Sequence, residues 1–188
     1  ALFPTGRSGI HRIIVGDWRT TDTGPMQVIS GPVGREKIHF EAPRADKLEK
    51  EMSEFLEWFE HQNDIDPVLK AGIAHLWFVT IHPFEDGNGR IARAIADMAL
   101  ARADKVADRF YSLSTQIEYE RKDYYNQLEK QQRGTSEISG WLEWFLDCLG
   151  RAISRAEQTL SNVLFKAELW NKIGLNSINQ RQRFVINL

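Results

Sequence analysis

Residues 82–93, HPFEDGNGRIAR, collect a histidine, two carboxylates, two glycines and two arginines in one short stretch. Each type has a use in phosphate chemistry. His82 has the ordinary pKa to accept a proton from an attacking hydroxyl near neutral pH. Gly87 and Gly89 can take positive φ without steric cost, so that successive N–H groups converge on one spot as an anion nest. A helix that follows would add the partial positive charge of its N-terminus. Arg90 and Arg93 lie three apart, on one face of that helix's first turn. Two guanidiniums beside a backbone nest suit a di- or triphosphate. Asp86 makes sense beside phosphates when a cation bridges them, and one carboxylate with phosphates and water suits Mg²⁺. Phe84 reads as the apolar anchor of this nucleotide-binding loop, and Glu85 as solvent-facing. A GNG alone is usually a hairpin turn, and a histidine at a helix end is usually a cap. Together they predict phosphoryl or nucleotidyl transfer, in which positioning and charge neutralisation do most of the work. G-x-x-x-x-G-K-[ST] is absent, which excludes a P-loop.

Two helices must hold this loop. Pro83 disfavours helical backbone at His82, so the preceding helix ends there. That helix, VLKAGIAHLWFVTI, is apolar on almost every side, with Lys70 its only charge, and belongs at the centre of a bundle. Asp66 and Pro67 supply its N-cap and first residue. The helix after the loop, IARAIADMALARAD, is rich in alanine and fit for close packing. Upstream, ADKLEKEMSEFLEWFEHQ places Leu48, Met52, Phe55, Leu56 and Phe59 on one helical face. Three further helices are expected, over residues 117–131, 140–153 and 155–172. The first forty residues differ: HRIIV, MQVIS and KIHF are short β-type runs punctuated by Gly16-Asp17, Gly24-Pro25, Gly31-Pro32 and Gly34. The fold class is therefore all-α, mainly helical: a bundle with a small β-hairpin flap.

The chain has 188 residues, enough for one domain with a sizeable core. Its net charge of -2 argues against a broad nucleic-acid footprint. Cys148 stands alone, so no disulfide forms within the chain, and it reads as a buried thiol. No apolar run approaches the roughly 18 residues a membrane helix needs. Ala1 opens the chain without Met or a signal-peptide pattern, which reads as part of a longer cytoplasmic protein. His11, His39, His61 and His75 show no metal-ligand spacing. His75 reads as a hydrogen-bonded core residue, Trp141, Trp144 and Phe145 as core aromatics, and Arg7 and Arg35 as solvated.

The motif resembles the signature of the Fic family, H-x-F-x-[DE]-G-N-G-R-x-x-R, complete from His82 to Arg93. IVGDWRTTDTGPMQVISGPVGREKIHFEAP looks like that family's target-docking flap, over about residues 10–43. ERKDYYNQLEKQQRG looks like its adenine-side helix. The resemblance implies transfer of AMP from ATP, with Mg²⁺, to a Ser, Thr or Tyr hydroxyl of a target protein docked on the flap, releasing pyrophosphate. It implies catalytic roles for His82, Asp86, Asn88, Arg90 and Arg93, with Asp86 as the metal ligand. Phe84, Gly87, Asn88, Gly89, Arg90 and Arg93 would surround the nucleotide. Tyr124 and Tyr125 would border its adenine or ribose, with Gln132 where the family often has Asn. Residues 1–172 would form the Fic domain, with a catalytic loop over 82–90. Residues 173–188 would be a linker, or the start of a truncated winged-helix-like segment, as in a subgroup that also has an N-terminal helical extension. Nucleic acid would be met only through that absent winged helix, and a homodimer is left open. The family's inhibitory [ST]-x-x-x-E-[GN] helix has its nearest match at Ser53–Glu57, where Trp58 fails the last position, so such a helix would be absent or would lie outside this chain, upstream of Ala1. Two alternatives stand beside this reading. One is removal of AMP, or transfer of another phosphate-containing group, at the same site. The other is a non-catalytic nucleotide-binding transcriptional regulator.

Overall fold

The computed structural model describes residues 2–22, 24–32, 34–104, 109–134, 136–173 and 179–187. Its centre is helix α2, Pro67–Ile81, preceded by α1, Leu48–His61. Asp66 caps α2 by accepting from the N–H groups of Val68 at 2.9 Å and Leu69 at 3.2 Å, with Pro67 as first helical residue. The helix can be apolar on every side because α1, α3 (Asn88–Asp104) and α6 (Ser139–Ile173) all pack on it. Ala92, Ala96 and Ala99 of α3 are buried, as the alanine pattern predicts. The approach of α6 is tight. A Cβ on Gly72 would lie 3.0 Å from the Phe145 ring, and the Trp141 indole N–H donates to the Gly72 carbonyl at 2.8 Å. Trp141, Phe145 and Cys148 are buried, as expected. Large side chains buried this way contribute roughly 1.5–3 kcal/mol each.

Several elements depart from the sequence reading. On α1, which follows a 3₁₀ turn over Ala45–Lys47, Leu48, Met52, Phe55 and Phe59 are buried but Leu56 is half exposed, because it lies at the margin of the stripe. The helix expected over 117–131 is two: α4, Leu113–Tyr119, and α5, Arg121–Arg133. Glu120 separates them with φ -102° and ψ 24°, held by Arg151 of α6 through two 2.6 Å hydrogen bonds. Conversely, the two helices expected over 140–153 and 155–172 are one, α6, of 35 residues. Ser154 is no breaker, and nothing else interrupts the ladder. A short α7 covers Gln180–Asn187; residues 174–178 and 188 of the expected linker lie outside the described residues.

The β region holds two antiparallel hairpins rather than one. β1 (Arg7–Ser8) pairs with β2 (His11–Arg12), and β3 (Gln27–Ser30) pairs with β4 (Lys37–Glu41), which lies against α5. Of the run HRIIV, only His11–Arg12 is strand. Among the described residues no helix is long and apolar enough to cross a membrane.

Candidate active site

The loop of residues 82–87 joins α2 to α3. His82 caps α2 with φ 52° and ψ 56°, the one non-glycine residue with positive φ among those described. Such backbone costs on the order of 1–3 kcal/mol and persists where its surroundings over-determine it. Arg19 provides that constraint. Its backbone N–H donates to the Pro83 carbonyl at 2.9 Å, and its Nε donates to the His82 carbonyl at 2.8 Å. Its Nη2 donates to the carbonyls of Ile81, at 3.3 Å, and Pro43. A buried guanidinium thus meets the negative end of α2 and satisfies its last carbonyls. Burial lowers the Arg19 pKa. Nothing in the sequence pattern marks Arg19, because the carbonyls of Ile81, His82 and Pro83 that it holds lie more than sixty residues away in the chain.

The His82 ring is oriented locally. Its Nδ1 lies 3.1 Å from the Val79 carbonyl, which can only accept, so Nδ1 carries the proton and the neutral ring keeps its lone pair on Nε2. Burial lowers the His82 pKa, opposed by the Val79 hydrogen bond and by Asp86. The neutral, proton-accepting form is therefore the one favoured at neutral pH.

The anion site is built differently from the nest that GNG suggests. Gly87 has φ 85°, and a Cβ there would meet Leu2 and Phe3 at 3.2 Å, so only glycine fits. Gly89 is ordinary right-handed helix, because α3 already begins at Asn88. The expected loop over 82–90 accordingly ends at 87. Ile91 N–H reaches back to the Gly87 carbonyl at 3.0 Å, while the N–H groups of Asn88, Gly89 and Arg90 have no protein acceptor among the described residues. The donors of a first helical turn thus do what a nest would do. The Asn88 side chain closes the loop instead of facing it. Its Oδ1 accepts from the Phe84 N–H at 3.0 Å, and its Nδ2 donates to the Phe84 carbonyl at 2.7 Å. Phe84 packs on Phe78, with ring centroids 6.4 Å apart, as an apolar anchor would, and is not among the side chains that line the cavity described below.

The segment before Arg19 crosses this loop. The Ser8 hydroxyl donates to the Asp86 carboxylate, whose Oδ1 also accepts from the Gly87 N–H at 2.5 Å. Glu85 is not solvent-facing: its Oε2 accepts from the Ile14 N–H at 2.7 Å. The Arg90 guanidinium lies 4.6 Å from the centroid of the Phe3 ring. Neither Arg90 nor Arg93 has a carboxylate partner among the described residues. Nor do three or more His, Cys, Asp or Glu side chains cluster as a metal cage there.

A cavity of about 890 Å³ opens onto these groups and is bounded by the flap and α5 on its other sides. His82, Asp86, Gly87, Asn88, Gly89, Arg90, Arg93, Tyr124, Tyr125 and Gln132 all line it. Tyr124 is a core residue showing one edge to the cavity. Its hydroxyl lies 3.0 Å from His75 Nε2, and burial raises its pKa. His75 is fully buried, as predicted, and burial lowers its pKa to about 3. Tyr125 is half exposed, and Gln132 donates to the Thr80 hydroxyl at 3.4 Å. Glu57, in the nearest match to an inhibitory helix, faces solvent on α1.

Known proteins resemble this chain in sequence and fold. A Fic family protein from Desulfovibrio desulfuricans G20 superposes with a TM-score of 0.65 and 28% identity, covering 82% of this chain and 44% of that one. Protein adenylyltransferase Fic of Nematostella vectensis is 33% identical over 115 residues, 59% of this chain and 25% of that protein. Protein adenylyltransferase fic-1 of Caenorhabditis elegans is 29% identical over 96 residues, 50% of this chain and 18% of that protein. The chain spans a quarter or less of the length of these two relatives. The Fic/DOC family is matched over residues 7–100. That match takes in half of the chain and the whole of the loop just described, and this chain is a member of the Fic/DOC family.

Proposed function

We propose that this chain is a protein adenylyltransferase, moving AMP from ATP to a Ser, Thr or Tyr hydroxyl of a target protein. One observation carries the reading. On a single cavity wall, a histidine with its lone pair on Nε2 adjoins three N–H groups and two guanidiniums that have, among the described residues, no acceptor and no carboxylate partner respectively. His82 takes the proton from the target hydroxyl, whose oxygen attacks the α-phosphate as pyrophosphate leaves. The N–H groups of Asn88, Gly89 and Arg90 and the guanidiniums of Arg90 and Arg93 hold the phosphate oxygens. Their fixed direction supplies most of the catalytic effect. Tyr124, Tyr125 and Gln132 border the nucleoside. The target segment lies along the hairpin β3–β4, and residues 1–172 act as one unit.

The residues present fit Mg²⁺. Asp86 is a carboxylate beside phosphate-binding donors and belongs to no cluster of three or more metal-ligating side chains among the described residues, and an ion of this kind is usually bound by one or two carboxylates together with substrate phosphates and water. Asp86 would hold it, once the Ser8 hydroxyl turns aside or joins the coordination. When bound, Mg²⁺ supplies charge neutralisation on the phosphates.

The test is transfer of label from α-labelled ATP, with Mg²⁺, to proteins of a native lysate or to the chain itself, read by mass as added AMP. Labelling that depends on His82 supports the reading. Clear ATP binding with no transfer sinks it in favour of a nucleotide-binding regulator. Competition among ATP, GTP, CTP and UTP tests the base.

A further inference from the structure

A second histidine on the cavity has both a hydroxyl and a carboxylate in line with it. Strand β3 ends on Ser30, opposite Lys37. Between the pairs Val28–Phe40 and Ile29–Ile38 the register slips by one, which leaves His39 as the extra residue of β4. A bulge re-aims a side chain, and here His39 reaches in two directions. Its Nδ1 lies 2.6 Å from Glu129 Oε2 on α5, and its Nε2 lies 2.5 Å from Ser30 Oγ. Hydrogen bonds from His39 and Lys37 hold the Glu129 carboxyl ionised, down to about 2. An ionised carboxylate only accepts, so Nδ1 carries the ring proton; the neutral ring then offers Nε2 as acceptor, and Ser30 must donate. Nucleophile, base and orienting carboxylate stand in the order shared by activated serines, which are recognised by geometry and roles rather than by sequence position.

The surroundings hold that order in place. Arg133 donates from Nη2 to the Ile38 carbonyl at 2.5 Å and from Nε to the His39 carbonyl at 3.0 Å. Its Nη1 lies 3.1 Å from Glu129, and Lys37 Nζ lies 3.0 Å from the same carboxylate. The bulge is thereby fastened to α5. Ser30, His39 and Glu129 line the same cavity as Arg90, Arg93, Arg121 and Lys122. These cations face the cavity from α3 and α5 among the carboxylates of Glu85, Asp86, Glu118 and Glu129, and Arg90 and Arg93, which have no carboxylate partner among the described residues, favour an anionic electrophile.

We propose that Ser30 is a second nucleophile of this protein, with His39 as its base and Glu129 as the group that orients the base, and that it takes a phosphorus electrophile of the phosphoric ester or anhydride class. In that step a bond forms from Ser30 Oγ to phosphorus and the hydroxyl proton passes to His39 Nε2. The bond from phosphorus to the leaving oxygen breaks, and its electron pair departs on that oxygen. Where the donor is the nucleotide of the reading above, the group taken is nucleotidyl and pyrophosphate leaves. Only the donor's identity rests on that reading.

An alkyl fluorophosphonate tests the site without any nucleotide, with fluoride as the leaving group, so failure of ATP-dependent transfer would not bear on the outcome. Peptide mass mapping is expected to find the adduct on Ser30, and none in Ser30→Ala. His39→Gln keeps the hydrogen-bonding shape but cannot take the proton, and should slow labelling about 100-fold or more. Saturating ATP or tripolyphosphate should shield Ser30. An unlabelled Ser30, or an equal rate in His39→Gln, overturns the nucleophile. Labelling shielded by neither ATP nor tripolyphosphate overturns the electrophile class. Circular dichroism of each variant separates these results from misfolding.

Discussion

The motif loop and the flap hairpin each hold a histidine by its Nδ1, and the difference lies in the partner. His82 is held by the carbonyl of Val79, three residues earlier on the same helix end. His39 is held by Glu129, ninety residues away on another element. The first arrangement comes with the helix and its stop signal; the second exists only when the flap is docked on α5. The loop is therefore a local device that the bundle supports, whereas the flap's chemistry reports its docking.

The largest effect should separate the two histidines. His82→Ala is expected to cut target labelling by roughly 100- to 10,000-fold, the range for a general base, with folding retained. His39→Gln should cost far less in the same assay. Equal losses would break the comparison, because the flap histidine would then belong to the main reaction.

Arg93→Ala comes next. Loss of a charged hydrogen bond to phosphate should weaken triphosphate binding by about 1.5–3 kcal/mol, roughly ten- to a hundredfold in Kd. Adenosine binding should change little. Calorimetry with both ligands tests this, and similar losses for the two would remove Arg93 from the phosphate site.

Arg19→Met probes how far the loop depends on its support. Orphaned carbonyls at the end of α2 should lower stability by about 1–3 kcal/mol, measured by urea unfolding. Because Arg19 holds His82 and not the phosphates, kcat should fall while KM for ATP holds steady. A rise in KM alone would mean that the loop's anion site, and not the base, leans on Arg19.

The smallest effect is on pH dependence. The folded-state pKa values of His75 and His82 lie below the ordinary histidine value of 6.5. Below that pH the unfolded chain binds protons that the folded chain refuses, so their stabilising contribution is present above pH 6.5 and declines as the pH falls. For His75 the decline continues to about pH 3, with a slope of at most ~1.4 kcal/mol per pH unit. Urea melts at pH 7, 6 and 5 should show it. A flat profile in that window would mean that His75 is protonated in the fold.

Much of the loop was legible because its signals are local. Pro83 stops α2, Asp66 and Pro67 start it, and the arginine spacing places two guanidiniums on one turn. The glycine reading failed at Gly89 because α3 starts at Asn88, three residues before the expected Ile91, and puts the donors of a helix N-terminus where a nest was expected. Ser8, Arg19 and Glu85 stayed hidden because each acts on a segment far off in the chain. The division at Glu120 depends on Arg151 of another helix, and no propensity within residues 117–131 records it. The continuity of α6 was missed for the opposite reason: a serine is too weak a signal to end a helix.

α6 also sets an angular phase. Its buried residues end at Ala152, yet the helix continues to Ile173, a further 21 residues or about 30 Å at 1.5 Å each. The packed half, around Trp141 and Phe145, acts as a chuck, and the half beyond Ala152 as a shaft whose rotation is set by the bundle that walls the cavity. Inserting a single residue beyond Ala152 would turn everything after it by about 100° about the axis, whereas inserting seven would nearly restore the heading. The far end of this helix thus carries a bearing relative to the reaction site, kept in register by residue count alone.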